Sequence, residues 1–187
     1  AEIEAQFAGR LRIADFVPVS RAALDPHTSV VTAPCEELGR RARVRLPAEV
    51  VFYPYSDAAA TRLFGATTNG LASGNSVEEA TLHALLEVME RDALAMNRPR
   101  DASSWVDRDT LPEPWRDYTD SWQRLGVELA VRHVPNDFGL PCFDVMLREE
   151  HSADVNLAGG SGLHVDRDIA LARAVCEAVQ SRLGHIH

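Results

Sequence analysis

The sequence predicts an α+β fold, a mixed β-sheet flanked by helices. Three observations predict it: strand-length apolar runs broken by turn residues fill the first sixty positions, two long helical patterns stand far apart, and two strands lie between them without a one-to-one βαβ alternation.

The elements follow in chain order. Short strands are expected over Leu11 to Val19, Ser29 to Ala33 and Val50 to Tyr55, punctuated by Pro18, Pro26, Pro34, Pro47 and Pro54. Thr67 to Asn75 reads as a loop of Gly, Asn, Ser and Thr, leading into a helix from Ser76 to roughly Met96. Ser76-x-x-Glu79 is a capping box and marks that start. Three tryptophans follow, Trp105, Trp115 and Trp122, read as packing anchors, with a short amphipathic helix ending near Gly126. Strands are expected over Val127 to Val134 and Cys142 to Leu147, joined by the loop Pro-Asn-Asp-Phe-Gly-Leu-Pro. Ala158-Gly-Gly-Ser-Gly162 reads as a flexible turn, and Asp166 as the N-cap of a last helix over about Arg167 to Leu183.

Composition narrows the chemistry. With 187 residues, 45% hydrophobic and 25% charged, the chain can bury a sizeable core. A net charge of -9, and no basic cluster longer than Arg40-Arg41-x-Arg43-x-Arg45, argue against a nucleic-acid partner. All 19 basic residues are arginine, which excludes a lysine Schiff base, a P-loop lysine and the strand lysine of a protein kinase. Any phosphate bound here meets arginine, backbone amides or a metal. Cys35, Cys142 and Cys176 form no C-x-x-C pair and are expected to be buried thiols of a reducing compartment. No apolar run reaches the length of a membrane span and no signal peptide opens the chain, so no membrane partner and a cytoplasmic location are expected.

The first long helix carries an unusual stripe. With Glu79 at zero, Glu90, His83 and Glu87 fall at about 20°, 40° and 80° around the helix axis. Ala80, Leu82, Ala84, Leu85, Val88, Met89 and Ala93 fill the rest, which predicts a helix buried in the core. Like charges near 4 Å cost about 4 kcal/mol at an effective dielectric of 20, so three unpaired glutamates would be costly there. Either some hold protons, or arginines cover them, or a hard cation such as Mg²⁺ sits on them; a stripe facing solvent is the plain alternative. The last helix repeats the spacing. His83-x3-Glu87-x2-Glu90 and Arg173-x3-Glu177-x2-Gln180 are each followed by an arginine, Arg91 and Arg182, and each follows a Gly-Leu. Two such helices side by side would gather Glu87, Glu90, Glu177 and Gln180 into a cluster able to hold metal ions that bridge nucleotide phosphates.

At these residues the sequence resembles a known family. Thr67 to Ala93, TTNGLASGNSVEEATLHALLEVMERDA, resembles the signature of YcaO proteins, and Arg173 to Arg182, RAVCEAVQSR, resembles a later motif of the same family. The resemblance implies part of a pseudo-symmetric YcaO-type domain over residues 1–187. It implies ATP and Mg²⁺ as cofactors, bound without a P-loop. Asn75, Glu79, Arg91, Arg173 and Gln180 would be ATP contacts, and Glu87, Glu90 and Glu177 Mg²⁺ ligands. It further implies phosphorylation of a backbone amide of a ribosomally made precursor peptide, so that an azoline can close. Thioamide formation and a non-catalytic docking role in a bacteriocin-type biosynthetic complex are the alternatives within that resemblance. The implied partners are a leader-peptide-binding or sulfur-delivery protein, and a homodimer is expected where core surface is left open. The family's earlier nucleotide motif, a glycine-rich loop with a lysine followed by E-x-x-E-R, has no counterpart before Thr67, and a proline-rich tail is absent, so only part of the catalytic domain is expected in this chain.

Other motifs carry less. Asp137-Phe138-Gly139 spells the kinase magnesium motif without its companions and reads as a turn, and Gly65-x4-Gly70 meets Leu71 where a P-loop needs lysine. His185-x-His187 reads as incidental, and His83 either touches a nucleotide or hydrogen-bonds inside the core.

Overall fold

A computed structural model describes residues 2–8, 10–16, 19, 29–56, 62–65, 67–149 and 157–186. It divides into two compact units, residues 1–68 and 69–187.

In the first unit a short helix, α1 (Glu2–Ala5), precedes a 3-10 turn at Ile13–Phe16 and a hairpin of β1 (Thr32–Glu37) and β2 (Ala42–Pro47), running straight into α2 (Ala48–Val51). The strands pair antiparallel from Thr32 opposite Pro47 to Glu37 opposite Ala42. The strand expected at 11–19 is instead the 3-10 turn, because Asp15 accepts a bond from the Arg12 backbone N–H at 2.8 Å and closes the chain locally. Pro18 and Pro26 lie outside the described residues. The strand expected at 29–33 lies at 32–37, and 50–55 is the end of α2 and a bend. Short apolar runs do not separate strand from helix. The basic run at 40–45 hides a strand of period two: Ala42, Val44 and Leu46 turn inward while Arg43 and Arg45 are exposed. Glu49 is buried and accepts from the backbone N–H groups of Leu63 and Phe64 at 3.0 and 2.8 Å, so its charge is solvated by the chain itself.

The second unit holds α3 (Val77–Asn97), β3 (Ser104–Trp105), α4 (Glu113–Gln123), β4 (Val127–His133), β5 (Cys142–Glu149), β6 (Leu157–Leu163) and α5 (Arg167–Ile186). The four strands form an antiparallel sheet in the order β3-β4-β5-β6, and the α+β class holds. Side chains alternate across it. Val131, Phe143, Val145 and Leu147 pack on Ala170, Leu171, Ala174, Val175 and Ala178 of α5. Cys142 and Leu163 point to the other face and pack on Leu86 and Ala93 of α3.

Three expectations are corrected here. Residues 158–162 are not a flexible turn but most of β6. A Cβ on Gly160 would collide with the Ala174 carbonyl and the Ala178 amide, and one on Gly162 with the Ala170 carbonyl, so the glycines let α5 lie directly on the strand. Helix α3 is not buried all round: Leu86, Glu90 and Ala93 are buried, while Leu82, Leu85, Val88 and Met96 are exposed. Only one side of it meets the sheet. Of the cysteines, Cys142 is buried, Cys35 is half-buried and Cys176 is exposed.

Both long helices start where the sequence marks them. The Ser76 hydroxyl accepts from the Glu79 N–H at 3.2 Å, and Asp166 accepts from the N–H groups of Asp168 and Ile169 at 2.8 and 3.1 Å. Asp137 and Phe138 form the expected turn, closed by the Gly139 N–H on the Asn136 carbonyl with Gly139 at φ 64°. Trp115 and Trp122 are packing anchors as expected, whereas Trp105 is 65% exposed on β3. No helix among the described residues is long and apolar enough to cross a membrane.

Candidate functional site

The site is built at the free edge of β6. Among the described residues no strand pairs with the backbone N–H groups on that edge, and two glutamates from helices on opposite faces of the sheet take its place. Glu177 of α5 accepts from the Ser161 N–H at 2.7 Å, and Glu90 of α3 accepts from the Leu163 N–H at 3.0 Å. The Ser161 hydroxyl stands between them, 2.7 Å from Glu90 and 3.2 Å from Glu177. Arg91 closes the group, its Nη2 3.7 Å from Glu90 and 3.6 Å from Glu177. Glu90 is almost wholly buried, its side chain 3% exposed, and carries three hydrogen-bonding or ionic partners; Glu177 is 43% exposed. Buried carboxylates are held in this way by hydrogen bonds and arginine.

Around that edge opens a cavity of about 630 Å³. Helix α3 contributes His83, Glu87, Glu90 and Arg91, and α5 contributes Arg173, Glu177 and Gln180. The two repeated motifs therefore meet in one cleft, as their shared spacing suggested. Ser161 and Cys176 line it too, and neither is assigned to a site from sequence: Cys176 reads there as a buried thiol, and Ser161 lies inside the segment read as a turn. His83 sits on the cavity wall and is exposed, not a hydrogen-bonded core group. Asn75 and Glu79 are placed elsewhere, at the start of α3. There the Glu79 carboxylate accepts from the Asn75 N–H at 2.7 Å and from its side-chain amide at 3.0 Å. The side chains of His185 and His187 lie outside the described residues.

Behind the site, Cys142 is an inert thiol: burial, and then the charges of Glu90 and Asp144, push it up to about 12. Asp144 lies opposite Ser161 on β5, and its burial raises its carboxyl, opposed by Arg132 and Arg98.

The donor set suits Mg²⁺ and phosphate together. Carboxylate and amide oxygens of Glu87, Glu90, Glu177 and Gln180 are hard ligands, and Arg91 and Arg173 match phosphate oxygens. No three acidic, histidine or cysteine side chains among the described residues converge tightly enough to hold an ion alone. Magnesium ordinarily takes only one or two carboxylates and completes its shell with phosphate oxygens and water, so the arrangement fits an ion that arrives with a nucleotide.

Residues 12–187 match the profile of a family described as YcaO cyclodehydratase, ATP- and Mg²⁺-binding. A protein of Methanothermobacter thermautotrophicus, itself uncharacterised, is 35% identical over 164 residues, covering 81% of this chain and 41% of that protein. A solved heterocyclase in complex with substrate and cofactor superposes with a TM-score of 0.75 at 26% identity, over 97% of this chain and 24% of that chain. YcaO from Methanopyrus kandleri, bound with AMPPCP and Mg²⁺, shares the fold at a TM-score of 0.69 and 24% identity, over 86% of this chain and 43% of that one. The chain spans less than half the length of the curated relatives it matches, 31% to 41%.

Proposed function

This chain belongs to the YcaO family, and from that membership we propose that in the full-length protein its α3–α5 cleft holds ATP and Mg²⁺ for phosphorylation of a backbone amide in a ribosomally made precursor peptide, ahead of azoline formation. The observation that carries the reading is the convergence of Glu87, Glu90 and Arg91 with Arg173, Glu177 and Gln180 on one cavity at the β6 edge.

An amide oxygen is a poor leaving group until it is phosphorylated, and ATP with Mg²⁺ supplies the phosphoryl group and screens its charge. The residues divide the remaining work. Ser161 and the β6 N–H groups fix Glu90 and Glu177, so both carboxylates are oriented before anything binds. Arg91, held loosely at 3.6–3.7 Å from both, is placed to turn toward phosphate oxygens, and Arg173 faces the same space from α5. Glu87 and Gln180, on the outer part of the cavity, offer further oxygen ligands. A side-chain nucleophile next to the activated amide then adds to its carbon and phosphate departs with the former amide oxygen. A leader-peptide-binding partner protein would present the peptide; a sulfur-delivery partner would turn the same activated amide into a thioamide.

Isotope transfer tests this in the full-length protein with its precursor peptide. With ¹⁸O in the peptide amide, the label is expected in inorganic phosphate, together with ADP and a peptide that has lost water. Exchange of oxygen for sulfur would identify the thioamide reaction. Peptide binding with no ATP turnover would leave the docking role, and unlabelled phosphate from a dehydrated peptide would contradict activation at the amide oxygen.

A further inference from the structure

A second cleft lies at the opposite side of the sheet. Its volume is about 420 Å³, and Trp105, Val106, Ala130 and Met146 form its apolar wall, with the Glu128–Arg148 ion pair at its rim. It marks an open strand edge. β3 is only two residues long and pairs with Arg132 and His133, after which the Val106 N–H reaches the Val131 carbonyl at 2.9 Å. That last bond fixes the direction of the main chain, because N–H and C=O groups of alternate residues in an antiparallel strand point the same way. The main-chain groups of Leu129 and Val127 therefore point away from β5, toward the side β3 has already left. Among the described residues nothing pairs with them, and Leu129 lines the cleft.

The aromatic group beside this edge is held in advance of any ligand. The Arg132 guanidinium lies 5.1 Å from the Trp105 ring centre, and Asp101 accepts from the same guanidinium at 2.5 and 2.6 Å. A tryptophan with one face held by an arginine and most of its surface in solvent, next to unpaired backbone donors and acceptors, matches one kind of partner: an extended peptide with an apolar side chain.

We propose that the β4 edge at Val127–Leu129 is a docking site for a segment of the peptide substrate, which adds as a strand and places an apolar side chain against Trp105 and Met146. This rests on the reading of the protein as a peptide-modifying enzyme and adds an exosite to it. A strand added outside β4 lies three strand spacings from β6, about 14 Å, which about four to five extended residues just span. The docked segment thus lies about five or more residues from the reacting amide.

Fluorescence anisotropy of the full-length protein tests the site with an end-blocked, fluorescein-labelled hexapeptide of alternating threonine and valine carrying one phenylalanine. Two analogues, N-methylated at one or the other alternate set of amides, accompany it. Saturable binding is expected. One methylated set loses it and the other keeps it, because an added strand turns only alternate amides toward β4. Trp105→Ala, a change at an exposed side chain, is expected to weaken binding about tenfold or more while calorimetric binding of ATP with Mg²⁺ stays at the parent level. Absence of saturable binding, equal binding of both analogues, or unchanged affinity in Trp105→Ala overturns the proposal. So does a concentration-dependent dimer that Trp105→Ala dissolves without any peptide binding, which would assign the edge to a second copy of the chain. Loss of ATP binding in the parent bears on the nucleotide cleft alone.

Discussion

Ser161 is the residue on which the α3 and α5 carboxylates meet, and it is buried together with Glu90. Ser161→Ala leaves Glu90 short of a donor inside the core, so a cost of about 1–3 kcal/mol is expected in urea unfolding. A change below about 0.5 kcal/mol would show that the bridge is not needed. No signal in the sequence separates Ser161 from any other serine near glycine, whereas Glu87, Glu90, Glu177 and Gln180 were legible because they recur at one helical spacing in the two motifs; the arginines do not, since Arg173 stands where the first motif has His83 and Arg182 pairs with Glu149. Asn75 and Glu79 are tied to the nucleotide by resemblance alone; the structure pairs them with each other at the start of α3. Asp101 accepts hydrogen bonds from Arg132 and Ser103. Its hydrogen bond from Arg132, and then that from Ser103, hold its carboxyl at about 2, below its ordinary value. A depressed folded-state value means stability that is present above the unfolded value of about 3.9 and is lost as pH falls toward 2. Unfolding midpoints measured at pH 5 and near pH 2.5 should therefore differ less for Asp101→Asn than for the parent, and an equal difference would rule this contribution out.

Element boundaries were most legible where a side chain caps them. Ser76 and Asp166 start α3 and α5 as the sequence indicates, because a cap is a local bond between near neighbours. β6 was illegible for the opposite reason. Its glycines answer to a helix that follows it in the chain and packs on its face, a tertiary requirement that composition alone presents as a turn. Gly162→Ala should push α5 off the strand and cost about 1–3 kcal/mol or more by overpacking. Equal stability of the variant and the parent in denaturant would mean that the helix can shift at no cost. The first unit was harder to read because its runs are short, and β2 was masked by its arginines, which occupy the exposed half of a period-two pattern.

On the scale of the molecule, the second unit carries the site, and its four-stranded antiparallel sheet positions it: α5 covers one face, α3 part of the other, and the two glutamate motifs converge where both helices reach past the β6 edge. The helical wheel of α3 predicted a buried cylinder, but burial follows the sheet contact and not the apolar count. Leu86→Ala, at the contact, should cost this chain about 2–5 kcal/mol, and Leu85→Gln, one residue away and 55% exposed, no more than about 0.5 kcal/mol. Similar losses for the two in denaturant unfolding would contradict this orientation of α3. Calorimetric titration of ATP with Mg²⁺ into the full-length protein examines the α3–α5 cleft as their binding site. Glu87→Ala and Glu177→Ala are the informative variants, since both side chains are partly exposed and their loss leaves the buried Glu90 in place. Saturable binding in the parent, reduced tenfold or more in each variant, is the predicted result; variants that bind ATP with Mg²⁺ as tightly as the parent would contradict it.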